Sequence, residues 1–143
     1  MAENALVDSD IRLGESIVRA LDNAADVSMR PTAAFWFLFP EEENWRLLLA
    51  LPATATDPPQ AVYTRLLDVI TREQPIGHAF RFDSVALLAP DSPLIDLLSG
   101  AIQTGPADIA GIRFSNNTIN GQLIPDVYIY RLTRPLPEQI AAG

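Results

Sequence analysis

The chain has 143 residues, 48% hydrophobic and 20% charged, a balance that suits a folded domain with a sizeable core and argues against disorder. Its net charge is −8 and its Arg residues form no cluster, so neither a nucleic-acid nor a membrane partner is expected. It has no Cys, no Lys and a single His, which excludes disulfides, thiolate nucleophiles, a phosphate-loop or Schiff-base lysine, and a multi-His zinc site.

The longest apolar runs, "AAFWFLF" and "LLLALPA", are strand-sized, far short of the roughly 20 residues that span a bilayer. The opening "MAENALVDSD" is acidic and lacks the basic-then-apolar pattern of a secretory leader. These features predict a cytoplasmic protein with one domain over residues 1–143 and no metal or cofactor.

In chain order, the first helix is expected over Ser9–Asn23, capped by Asp8 or Ser9, with Ile11, Ile17, Val18 and Leu21 on its buried stripe. Gly14 weakens that helix by about 1 kcal/mol relative to Ala. Asp8 and Asp10, and Asp22 and Asp26, read as exposed helix charges. "AAFWFLFP" and "NWRLLLALP" are apolar at nearly every position, as in strands covered on both faces. The short acidic link between them predicts an antiparallel hairpin, with Phe35, Phe37 and Phe39 facing one way and Trp36 and Leu38 the other. Glu41, Glu42 and Glu43 in that link read as a solvated loop, since three consecutive side chains rarely converge on a cation.

The second helix starts after Asp57, with Pro58 in its first position and Val62, Leu66, Val69 and Ile70 as its stripe. "SVALLA" is a third short strand. A third helix follows, capped by Asp91 or Ser92, with Pro93 in its first turn and Gly105 as its stop. The last two strands form a hairpin with its tip at Asn120–Gly121, because a type I′ turn needs positive φ at both central positions. That tip pairs Ile119 with Gln122, Ser115 with Asp126, Arg113 with Tyr128 and Ile112 with Ile129. Ile112, Phe114, Val127 and Ile129 then share one face, and Arg113, Ser115, Asp126, Tyr128 and Tyr130 the other. The pattern predicts an α/β or α+β fold: a single mixed, mainly antiparallel five-stranded sheet with three helices, in the order α-β-β-α-β-α-β-β.

Candidate chemistry is sparse. His78 is the only side chain whose unperturbed pKa lies near neutrality, and with Asp83, Asp91 and Ser92 it could line a site at the carboxyl end of the third strand. His78, Asp91 and Ser92 have plainer readings: a loop or half-buried histidine bonded to backbone, and two helix-capping residues. No G-x-S-x-G elbow supplies a matching nucleophile. Asn116-Asn117-Thr118 matches a glycosylation acceptor that lacks a secretory context. Arg113, Tyr128 and Tyr130 form the candidate binding set, because Tyr and Arg bring large areas with polar tips to partner surfaces. The competing reading is a solvent-facing strand with Arg113 lying over Tyr128. The expected function is a non-enzymatic interaction or regulatory module that binds a protein partner or itself. The alternative is a small-molecule-binding domain or small hydrolase at the third-strand exit.

Overall fold

Residues 8–24, 27–39, 44–73, 85–100, 102–105, 109–119 and 121–133 are described by the structure, a computed structural model. Helix α1 spans Asp8–Asp22, with Asp8 and Asp10 in its first turn and Arg19 in its last, the arrangement that suits the helix dipole. It buries Leu13, Ile17, Val18 and Leu21, while Ile11 is half-buried. Strands β1 (Ala33–Phe39) and β2 (Asn44–Ala50) pair antiparallel with Ala33 opposite Ala50 and Phe39 opposite Asn44. Helix α2 (Pro59–Glu73) begins one residue later than the sequence suggests, and Asp57 takes Arg65 as an ion-pair partner. Strand β3 (Val85–Leu88) runs parallel to β2.

Helix α3 (Pro93–Ser99) is capped by Ser92, whose hydroxyl accepts from the Leu94 N–H at 3.2 Å. It ends at Gly100 and not at Gly105. The following segment leaves the helix because it is tied to the end of the sheet: Thr104 N–H donates to the Leu132 carbonyl, and Leu132 N–H donates to Thr104 Oγ1, both at 2.9 Å. Strands β4 (Ile112–Ile119) and β5 (Gln122–Leu132) complete a five-stranded sheet in the order β3-β2-β1-β5-β4. The fold is therefore the expected mixed, mainly antiparallel sheet with three helices among the described residues. No helix among them is long and apolar enough to cross a membrane.

The sheet is covered on both faces, which explains why β1 and β2 are apolar throughout. Trp36, Leu47 and Leu49 pack with α1 and α2. Phe35, Phe37 and Leu48 pack on the other face with Ile95 and Leu98 of α3. Each such side chain, fully buried, contributes about 1.5–3 kcal/mol of transfer free energy.

Two irregularities in β5 shape everything near it. At its C-terminal end, Phe35 pairs with Ile129 but Ala34 pairs with Arg131, so Tyr130 is an extra residue in the strand. This bulge turns Tyr130 and Arg131, two neighbours that would otherwise face opposite ways, toward α1. At the other end, the β4–β5 ladder runs from Ile112–Ile129 to Ser115–Asp126, skips Asn116–Pro125, and resumes at Asn117–Ile124. Pro125 has no N–H to donate to that pair. Beyond the gap, Ile119 and Ile124 pack with Phe37 and Val127, although simple alternation would place them on the face of Arg113 and Asp126.

Candidate functional site

The final hairpin adopts the expected register, Ile119 opposite Gln122 through Ile112 opposite Ile129. Gly121 has φ 79°, as a primed turn demands, while Asn120 lies outside the described residues. Asn116 and Asn117 belong to β4 itself.

Arg113 and Asp126 sit on neighbouring strands, one diagonal step apart. Arg113 Nε donates to Asp126 Oδ1 at 3.1 Å and Nη2 to Oδ2 at 2.7 Å, a bidentate pair. Ser115 Oγ donates to Asp126 Oδ1 at 2.9 Å. Desolvation pushes the Asp126 carboxyl upward, but the hydrogen bonds from Arg113 and Ser115 and the guanidinium charge outweigh it and hold it below the usual carboxylate range. The hydrogen bond to Asp126 in turn raises Arg113 further above its ordinary value. Side-chain exposure is 44% for Arg113 and 16% for Asp126, so the pair lies at the rim of the protein.

The stacking of Arg113 over Tyr128 that the competing reading offers gives way to a different aromatic contact. The guanidinium carbon lies 5.5 Å from the ring centroid of Trp45, which comes from β2. Trp45 pairs with Leu38 and crosses the sheet to reach Arg113. Sequence reading did not single out Trp45, because finding it requires knowing that β1 and β5 separate β2 from β4. Tyr128 is half-buried and meets Tyr130 edge-on, with centroids 5.3 Å apart. Its hydroxyl lies over Gly111, where a Cβ would come within 2.9 Å of Tyr128 Oη, and whose φ is 69°. Glycine is needed there for both reasons.

Tyr130 departs from the sequence-based picture. It shares the face of Tyr128 as expected but is only 1% exposed, because α1 covers that end of the sheet. Its hydroxyl donates to the Ile11 carbonyl of α1 and accepts from Trp36 Nε1 at 2.9 Å. Burial pushes its phenol pKa well up. Tyr130 is thus a core residue joining α1 to the sheet, and the set left at the surface is the exposed Arg113 with the half-buried Tyr128, joined by Trp45, Ser115 and Asp126.

Gly14 is explained by the same contact. A Cβ there would lie 2.9 Å from Trp36 Nε1 and clash with the Tyr130 hydroxyl. Asp22, read from sequence as an exposed charge, instead accepts from Arg131 Nη1 at 2.7 Å and Nη2 at 2.8 Å. Arg131 is 1% exposed and also donates to the Pro31 carbonyl at 3.1 Å.

The alternative site at the β3 exit is not assembled among the described residues. His78 and Asp83 lie outside them, Asp91 is exposed in the turn before α3, and the Ser92 oxygen is engaged as the α3 cap. Glu41, Glu42 and Glu43 also lie outside the described residues. Among those described, no three His, Asp or Glu side chains are grouped as metal ligands would be. No protein-family model, no curated protein and no solved structure matches the chain.

Proposed function

We propose that the protein is a non-enzymatic interaction module that self-associates, using the rim surface of Arg113 and Tyr128 with Trp45. The observation that carries this reading is the arrangement of Arg113: bidentate to Asp126, 5.5 Å from the Trp45 ring, and exposed on the edge strand β4. Arg and aromatic side chains held rigid by their neighbours lose little conformational entropy on binding and dominate interface energetics. The same cluster holds no group in the role of nucleophile or base: Asp126 is held ionised by its donors, and Ser115 spends its proton on that carboxylate.

Light scattering or sedimentation across concentration tests the reading. The wild-type chain should show mass above one protomer as concentration rises. Arg113→Ala and Tyr128→Ala should each weaken association about tenfold, equivalent to about 1.4 kcal/mol. A strict monomer, or association untouched by both substitutions, would overturn it.

A further inference from the structure

On the reading that the chain self-associates, the structure also points to where and with what register. The two edges of the sheet are unequal. β3 is four residues long and runs into Ala89–Pro90, whereas β4 is eight residues long and no described strand pairs with its outer side. Edge strands are usually blunted by Pro, charge or bulges. Here the blunting is confined to one half. The missing Asn116–Pro125 pair shows which β4 groups face inward. A proline disrupts this ladder only where its nitrogen points at β4, so Ile112, Phe114 and Asn116 are the positions whose backbone groups point at β5. Arg113 and Ser115 then present N–H and C=O outward. The two-residue turn makes Ile119–Gln122 a hydrogen-bonded pair, so Asn117 and Ile119 face inward beyond the gap. The outward phase therefore breaks at Asn116, and only the first half of β4 can accept a strand in register.

We infer that the first half of β4 pairs antiparallel with the same segment of a second copy, about a two-fold axis at Phe114. In that register Arg113 lies directly opposite Ser115 of the second copy, and their outward N–H and C=O groups bond reciprocally. It is also the register that complements charge. Ser115 is hydrogen-bonded to Asp126, so each Arg113 is placed between its own Asp126 and that of the other copy. Arg113 and Asp126 then alternate across the axis, so the surface where the copies meet is itself neutral although each chain carries −8. A half-strand pairing falls below the roughly 1,200 Å² of a standard interface, so a reversible dimer of micromolar or weaker affinity is expected.

The absence of Cys makes the register directly testable. Arg113→Cys and Ser115→Cys proteins are oxidised mildly, alone and as an equimolar mixture. In the mixture, the two cysteines of a heterodimer sit opposite each other with Cα atoms about 5.5 Å apart, inside the bridging range. Alone, each variant places its cysteines on a diagonal of about 8 Å or more, too far to bridge. The mixture should form disulfide-linked dimer at least about tenfold faster than either variant alone. Equal rates in the mixture and in Ser115→Cys alone, which keeps Arg113, or no cross-link in the mixture at about tenfold the concentration at which the wild type associates, would overturn this interface and leave self-association standing. A wild-type chain that stays monomeric to about 1 mM would overturn self-association itself, and this inference with it.

Discussion

Removing the Asp22 carboxylate should cost the fold about 2 kcal/mol, and the figure can be assembled from the surroundings of Arg131. That guanidinium is 1% exposed and makes two short bonds to Asp22 and one to the Pro31 carbonyl. Breaking a fully buried ion pair by deleting one partner costs about 3–5 kcal/mol where nothing else meets the remaining charge, and Arg131 keeps its bond to the Pro31 carbonyl. Asp22 is 29% exposed, so water can partly replace it, and the low end of that range applies. A further offset is local. Asp22 ends α1, where a negative charge opposes the helix dipole, so Asp22→Ala regains about 0.5–1 kcal/mol. The net loss of about 2 kcal/mol should lower Tm by about 4–8 °C for a chain near this size. Urea unfolding followed by the fluorescence of Trp36 and Trp45 measures it directly. The double variant Asp22→Leu with Arg131→Met should recover to within about 1 kcal/mol of wild type, since an apolar replacement removes the desolvation cost along with the pair. An Asp22→Ala midpoint shifted by less than about 0.5 kcal/mol would refute the argument, because Arg131 would then not depend on Asp22.

Gly14→Ala should destabilise by about 1–3 kcal/mol despite the better helix propensity of Ala, because its Cβ enters the space of Tyr130 Oη and Trp36 Nε1. Adding Tyr130→Phe should make the Gly14→Ala substitution less costly than it is alone, and a thermal-melt double-mutant cycle with no coupling would argue against that contact. Asp126 has a folded-state pKa below its unfolded value, so it stabilises the fold above about pH 4 and that contribution is lost as pH falls through the folded pKa. Asp126→Asn should flatten this part of the stability-versus-pH curve, and an unchanged acid limb would show that the Arg113–Asp126 pair contributes nothing there.

Much of the architecture was legible in the chain because it depends on short-range chemistry. The Asn-Gly pair in the sequence predicts the turn, the turn predicts the register, and every β4–β5 pair named from it is present. Two-sided apolar runs announced strands covered on both faces, and Ser92-Pro93 announced the start of α3. What escaped was order in space. Trp45 and Arg113 are far apart in sequence and meet only because β1 and β5 lie between their strands. Asp22 looked like a surface charge because nothing nearby in sequence indicates that Arg131 will be buried against it.

Strict alternation along the hairpin falls short at two points, and both concern β5. Strict alternation places Tyr128 and Tyr130 together, correctly, but says nothing about what covers them. The bulge at Tyr130 brings Arg131 to the same side, and α1 takes hold of both, one through the Ile11 carbonyl and the other through Asp22. Alternation also fails at Pro125, where the missing N–H changes the phase of the ladder and turns Ile119 and Ile124 to the opposite face. Between these breaks only Asp126 to Ile129 of β5 keeps unbroken alternation against β4. Arg113, Ser115, Asp126 and Tyr128 are therefore the part of the amphipathic face that α1 does not bury and Pro125 does not twist away. The two irregularities bound that part of the face, and the second can be tested without touching it: Pro125→Ala should supply the N–H that the pair of positions 116 and 125 lacks and extend the flat edge toward the turn. Amide exchange at residue 125 should then slow to the level of its neighbours, and exchange as fast as in an unpaired strand end would show that proline is not the cause of the break.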